Sequence, residues 1–441
     1  MIATCARWAL IFEIFAAPLL LGGGRPWALA ILALPLALAL PIAFFKAQQQ
    51  GTGQTEGRLS ALSPFFLALI LAILWLIAQA LPVWPQSMIA PFSGSSLALA
   101  PAQLPDQVLY LLWLAAMLAL SALQSEAGNE ITPLCRALAA SAALQTAIAM
   151  ILDVAAIPST LWFVKTAHIS DFTGTFANRN AFCAFITAGF FACLYMWQRP
   201  GSSFREKIDP HGGWLALAIL LFIAALGSHS RAGMLALMAG TFVFILHAGG
   251  RAELAGGHAF SIRLITAFLA LAAMIVAILL TPDLLARFAG LSRPDWLQRD
   301  DVWQSALNAI IARPYTGYGA QGIAPALQYA ATPGMNDAVR WVSSHNLWLD
   351  MVLVLGLPVF LLVLAFLVKG GLAVLRSIHH DTTPAKRALF MAVLVAFLVQ
   401  SGLDGIGALP AVIMPLVILL GCLAPGQKQA SNTAIAPNAP Q

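Results

Sequence analysis

The feature that most constrains this chain is a succession of apolar blocks, many of about eighteen residues or more, separated by short polar breaks. A block of that length crosses a hydrocarbon core of about 30 Å as helix. Barrel strands would alternate in character every second residue, and these blocks do not. Composition agrees: 60% of the residues are hydrophobic and only 9% charged, where a soluble domain carries about 25%. The expected fold is an all-α polytopic membrane protein.

Reading blocks against breaks predicts twelve spans, at 8–22, 27–45, 64–83, 105–123, 131–152, 180–198, 214–229, 231–248, 262–281, 347–368, 387–404 and 408–424. The first resembles a signal peptide, with Arg7 ahead of an apolar run, but further spans follow at once, so an uncleaved first helix is expected. Lys and Arg in short loops set orientation. With the N-terminus inside, the inner segments hold Arg7, Lys46, Arg58, Arg136, Arg199, Arg205, Lys207, Arg251, Arg263, Lys369, Arg376, Lys386, Arg387 and Lys428, against Arg25, Lys165, Arg179 and Arg231 outside. This puts the one long loop, 282–346, on the extracytoplasmic side. The tail after Pro425, rich in Ala, Asn, Gln and Pro, is expected to be disordered.

Several classes drop out early. A net charge of +5 with scattered basic residues offers no nucleic-acid surface. The five cysteines form no C-x-x-C pair, so neither zinc nor a disulfide framework is indicated. No matched pair of interrupted helices suggests an inverted-repeat transporter.

Four features fall on the outer face. Phe176, Asn178 and Asn180 directly precede the sixth span, and either asparagine could do no more than cap that helix. Ser228-His-Ser-Arg-Ala-Gly233 reads as a tight hairpin in which Ser230 starts the eighth helix. There, backbone N–H groups and Arg231 aim at one spot, an arrangement suited to phosphate; the bland alternative is an arginine reaching to lipid headgroups. The long loop carries Arg287, Arg293, Arg299 and Trp303, an amphipathic helix near 306–311, and then Arg313-Pro-Tyr-Thr-Gly-Tyr-Gly319. Gly317, Gly319 and Gly322 spell G-x-G-x-x-G, but no strand precedes them and no G-K-[ST] follows, so they are expected to be loop turns. Finally, Ser343-Ser-His-Asn346 opens the tenth span. Imidazole is the side chain best suited to take a proton from a hydroxyl near neutral pH, although a lone histidine is often structural. Glu13, Asp153, Asp350 and Asp404 sit in or beside different spans without shared spacing. Interhelical hydrogen bonding is the expected role, a proton path the alternative.

In order, F-x-N-x-N, S-R-x-G, R-x-x-x-W…P-x-x-G-x-G and H-N followed by G-L resemble the O-antigen ligase and polymerase superfamily. Here these are Phe176-Asn178-Asn180, Ser230-Arg231-Gly233, Arg299-Trp303-Pro314-Gly317-Gly319 and His345-Asn346 with Gly356-Leu357. Many relatives have Pro where this chain has Arg179. The resemblance covers about residues 172–368 and implies a GT-C-like plan: N-terminal helices over 1–171, a core over 172–368 that includes the loop, C-terminal helices over 369–424, and a tail over 425–441.

It also implies a multi-pass protein of the bacterial inner membrane, working on its periplasmic face. Such enzymes move a glycan from undecaprenyl diphosphate to an acceptor hydroxyl, on lipid A–core for a ligase or on a second lipid-linked glycan for a polymerase. In that chemistry His345, Arg231 and Arg299 would be catalytic, with Arg313, Arg287, Asn178, Asn180, Ser230 and Asn346 binding substrate. No metal or other cofactor is expected, since there is no Asp-x-Asp pair and Asp300-Asp301 stand without a partner cluster. A lipid-linked glycan flippase is the rival of another class, but it would hold its charges at mid-membrane and need no long outer loop.

Overall fold

The structure, a computed structural model, describes residues 2–50, 53–124, 131–167, 169–198, 212–248, 257–289, 294–336, 338 and 340–426. In chain order its principal helices are α1 (Ile2–Leu19), α2 (Pro26–Gln50), α3 (Gly53–Ala61), α4 (Ser63–Ala80), α5 (Gln86–Ile89), α6 (Leu104–Leu123), α7 (Ile131–Val154), α8 (Arg179–Trp197) and α9 (Gly212–Gly227). They continue as α10 (Arg231–His247), α11 (Gly257–Leu279), α12 (Pro282–Ala289), α13 (Pro294–Ala312), α14 (Ile323–Tyr329), α15 (Leu347–Leu355), α16 (Leu357–Asp381), α17 (Pro384–Leu403) and α18 (Pro410–Leu423). Among the described residues there is no strand beyond one isolated bridge, Ser159 to Val164.

A bilayer offers backbone groups no water, so each span must close its own hydrogen bonds as helix. Among the described residues seven helices are long and apolar enough to cross, namely α2, α4, α6, α7, α8, α16 and α17; α9, α10, α18 and the described apolar part of α11 are shorter. Prolines begin several of them (Pro64, Pro105, Pro358, Pro384 and Pro410), where a missing N–H costs nothing. Large apolar side chains such as Leu34, Leu38 and Phe45 on α2 stand exposed on the outside, as lipid-facing residues do. At the centre α8 is buried nearly all round, and α10 packs most extensively along α17. Gly233 permits a close approach of α10 to α8, since a Cβ there would lie 2.3 Å from the Cys183 sulfur.

The expected tenth span is not continuous. Gly356, at φ +75°, breaks it into α15 and α16. The long loop fills the break: the Tyr318 and Gly319 N–H groups donate to the Leu353 and Val354 carbonyls at 2.7 and 3.1 Å, and the Leu357 N–H donates to the Pro314 carbonyl at 2.7 Å. Gln79 Nε2 and Trp75 Nε1 of α4 donate to the Val354 and Leu355 carbonyls at 2.9 and 2.7 Å. The glycines expected as loop turns have this use. Gly317 and Gly319 have φ of +63° and +76°, and a Cβ on Gly317 would sit 2.5 Å from the Gly356 nitrogen. Hydropathy alone does not reveal such a break, because both halves remain apolar.

The amphipathic segment near 306–311 is the end of the longer α13. Val302, Ala306 and Ala309 form its buried face, against Tyr318, Leu327 and Leu353. The tail from 427 onward, Arg293, and the inner basic residues Arg199, Arg205, Lys207 and Arg251 lie outside the described residues.

Candidate functional site

Three helices begin at one end of the bundle, each with a polar cap that satisfies orphan N–H groups. Asn178 Oδ1 accepts from the Asn180 N–H at 2.7 Å, Ser230 Oγ accepts from the Gly233 N–H at 3.1 Å, and Asn346 Oδ1 accepts from the Trp348 and Leu349 N–H groups at 3.0 and 3.2 Å. Capping is the whole of what Asn178 is seen to do. Asn180, inside the first turn of α8, does more: its Oδ1 accepts from Ser230 Oγ at 2.7 Å, and its Nδ2 donates to Asp404 Oδ2.

Asp404 is the hub. It ends α17, its side chain is 2% exposed, and it faces three partners. Besides Asn180, His345 Nδ1 lies 3.3 Å from its Oδ1 and Arg299 Nη2 3.8 Å from its Oδ2. Burial pushes the carboxyl up, but the hydrogen bond and charge of His345, the charge of Arg299 and the hydrogen bond from Asn180 together outweigh it and hold Asp404 below the usual carboxylate range. The joints around it are tied as well. Arg299 Nη1 donates to the Leu403 carbonyl at 3.0 Å, Asn346 Nδ2 to the Gly402 carbonyl at 2.9 Å, and Gln400 Nε2 to the Asn180 carbonyl at 2.9 Å.

His345 is held in an uncommon backbone conformation, φ +56°, which costs about 1–3 kcal/mol and persists only where its surroundings enforce it. Asp350 does the enforcing. Its carboxylate accepts from Ser343 Oγ at 2.5 Å, the Ser344 N–H at 2.7 Å and Ser344 Oγ at 2.6 Å, folding the turn, and Ser343 Oγ then accepts the His345 N–H at 3.0 Å. Trp341 packs edge-on against the imidazole, with ring centres 5.6 Å apart. The His345 side chain remains 31% exposed, so an imidazole anchored at Nδ1 is open to an incoming group.

Of the residues singled out in the sequence, the structure thus gathers Asn180, Ser230, Arg299, His345 and Asn346. Arg231 directly follows Ser230, half-buried in the first turn of α10. Arg313 lies elsewhere. It is buried, donates to the Leu97 carbonyl at 3.2 Å and to Thr316 Oγ1, and sits 4.9 Å over the Tyr318 ring; burial lowers its pKa. Arg287 is on α12, and its side chain lies outside the described residues.

Asp404 and Asp350, like Glu13 and Asp153, show no shared spacing in the sequence. Interhelical hydrogen bonding describes Glu13, whose Oε2 accepts from Trp113 Nε1 at 3.0 Å, and it understates the other two. The signal for Asp404 was its setting, Gly402-Leu-Asp-Gly-Ile-Gly407, a carboxylate at a span end among glycines that admit close neighbours. A Cβ on Gly405 would lie 2.0 Å from Ser343 Oγ. Among the described residues, no group of three or more His, Cys, Asp or Glu side chains is placed to hold a metal ion.

A helical bundle with, among the described residues, seven helices able to cross a bilayer and a polar hub at one end defines an all-α polytopic membrane protein. Residues 216–364 match the family model described as O-Antigen ligase, which supports the resemblance to the O-antigen ligase and Wzy-like superfamily. The matched stretch runs from α9 into α16 and includes Ser230, Arg231, Arg299, Arg313, the glycine loop and His345; Asn180 and Asp404 fall on either side of it. No curated protein matches the chain.

Proposed function

We propose that this chain transfers a glycan from undecaprenyl diphosphate to an acceptor hydroxyl on the periplasmic face of the bacterial inner membrane, ligating O-antigen to lipid A–core. The observation that carries the reading is the convergence of Asn180, Arg299 and His345, drawn from distant parts of the chain, on Asp404, with Ser230 bonded to Asn180 beside them.

With the Nδ1 proton directed at Asp404, His345 presents Nε2 as the base, in the manner of a carboxylate-oriented histidine. Nε2 takes the proton of the acceptor hydroxyl as its oxygen bonds to the anomeric carbon. The bond from that carbon to the diphosphate oxygen breaks, and the electron pair leaves with the lipid diphosphate. Direct displacement inverts the anomeric centre. The leaving group needs positive charge where its own negative charge grows, and guanidinium supplies it in a planar fork that fits phosphate. Arg231 and Arg299 have that role, and the reaction needs no metal.

The test is purified protein given undecaprenyl-diphosphate-linked glycan and each acceptor in turn, with and without a chelator. Transfer to lipid A–core is expected. Extension of the lipid-linked glycan instead would make the chain a polymerase, failure with every acceptor would reject the reading, and loss on chelation restored by Mg²⁺ would reject metal independence.

A further inference from the structure

Behind the hub lies a second polar feature that the proposed reaction does not use. Between the end of α7 and the start of α8, a cavity of about 260 Å³ is lined by Asp153, Ser159, Lys165, Asp171 and Thr173, with apolar walls that include Leu152 and Ile157. Its polar groups are fixed in place. Lys165 Nζ donates to the Asp171 carbonyl at 2.9 Å and lies 3.4 Å from Thr173 Oγ1. Burial lowers the Lys165 pKa, and the charges of Asp171 and Asp153 oppose that effect. Asp153 is exposed and stands in the last turn of α7, where a negative charge opposes the helix dipole, so it is not there to stabilise the helix end.

The cavity is coupled to the hub through Asp171. This buried carboxylate accepts from Arg179 Nη1 at 2.7 Å and lies 2.8 Å from His229 Nδ1. Arg179 precedes Asn180 and His229 precedes Ser230, so one carboxylate ties both hub-bearing segments to the cavity wall. Next to the cavity, Leu161, Trp162, Phe163 and Val164 stand exposed, and Trp162 Nε1 donates to the Leu19 carbonyl at 2.7 Å. Exposed aromatic and aliphatic side chains of this kind belong at a membrane interface.

We propose that this cavity is a subsite for one neutral sugar residue of the glycans handled at the hub, an inference that rests on the transfer reading above. The lining decides the class of ligand. The exposed Asp153 carboxylate accepts hydroxyl hydrogens and the Lys165 ammonium donates to a ring or hydroxyl oxygen, whereas a phosphate would meet the Asp153 carboxylate and an amine would meet the Lys165 cation. Size agrees. Pockets for drug-sized ligands run from about 300 Å³ upward, so this one holds a single ring and not a chain.

The test uses the full chain in nanodiscs free of glycoside detergent, with saturation-transfer NMR and methyl glycosides of neutral hexoses as probes, and hexose 1-phosphates alongside. Saturation transfer from the protein to the neutral glycosides is expected, about tenfold weaker binding in Asp153→Asn and in Ser159→Ala, and weaker binding of the phosphates. Asp153 is exposed, and retention of the wild-type melting temperature checks that both variants fold, Ser159 Oγ also accepting the Leu161 N–H at 3.1 Å. Equal signals in wild type and both variants, or preference for the phosphates, overturns the subsite. In the transfer assay, a raised KM in Asp153→Asn with kcat unchanged identifies whether donor or acceptor supplies the sugar. If the wild type transfers nothing yet binds the glycosides in an Asp153-dependent way, the function reading fails and the subsite stands.

Discussion

Arg299 and Arg313 belong to the same helix and its end, yet the fold gives them opposite fates. Arg299 turns toward α17, donates to Leu403 and flanks the Asp404 carboxylate, with its side chain 22% exposed. Arg313 turns inward, is 4% exposed, and donates from Nε and Nη2 to Leu97 and Thr316 beside the Tyr318 ring. The first is a charge left where a substrate could meet it. The second is a charge taken out of water to pin the loop that fills the break at Gly356. Composition treats the two alike, and only the third dimension separates a reactive end of the loop from a structural one.

The largest effect expected at the reactive end is at His345. Replacement by Ala should lower transfer by about 10²–10⁴-fold, the usual worth of a positioned base, with the protein still inserted at normal yield. Near-normal turnover would remove His345 from the chemistry and leave the hub as a mere helix joint. Next comes Arg299→Gln. Lost stabilisation of developing charge typically costs about 10²-fold in turnover, and here the loss should appear in kcat more than in acceptor KM. A variant that folds poorly but turns over normally per folded molecule would show that Arg299 serves only to neutralise Asp404.

How far the sequence could foresee this contrast follows from the physics of each part. The spans were legible because a bilayer demands an apolar helix of fixed length, and α2, α6 and α7 begin or end within a few residues of expectation. Two caps were legible, since Asn178 and Ser230 are types that satisfy helix N-termini, whereas Asn346, expected to bind substrate, also caps α15. The break at Gly356 was hidden because its freed carbonyls find partners far away in sequence, on Tyr318, Gly319 and Gln79. Asp404 was hidden for the same reason. Its meaning comes from Asn180, 224 residues away, and from His345, and no local period encodes that meeting.

At the structural end, Arg313→Met should do the reverse of Arg299→Gln. It keeps bulk over Tyr318 but leaves the Leu97 carbonyl and Thr316 without their charged donor, a loss of about 1.5–3 kcal/mol for hydrogen bonds to a charged group. Part of this returns, because a thioether does not have to be stripped of water as a guanidinium does. A lowered melting temperature with transfer per folded molecule within about twofold is expected. A hundredfold drop in turnover at unchanged stability would erase the distinction between the two arginines.

The smallest effect concerns acid. Asp404 has a folded-state pKa held below its ordinary value by His345, Arg299 and Asn180. For such a group the unfolded chain binds the proton more readily than the folded one, so its contribution to stability is complete above the ordinary carboxylate pKa of about 3.9 and fades as pH falls through the lower folded value. Thermal unfolding of the wild type in nanodiscs should therefore show no contribution from Asp404 to any slope between pH 7 and 5, and an added loss below about pH 4. Asp404→Asn cannot titrate, so it should lack that acid limb while being less stable at neutral pH, where the half-buried Arg299 has lost the charge it faces. If the mutant kept the same acid limb, the hub carboxylate would not be ionised in the folded protein. The orientation of His345 would then need another cause.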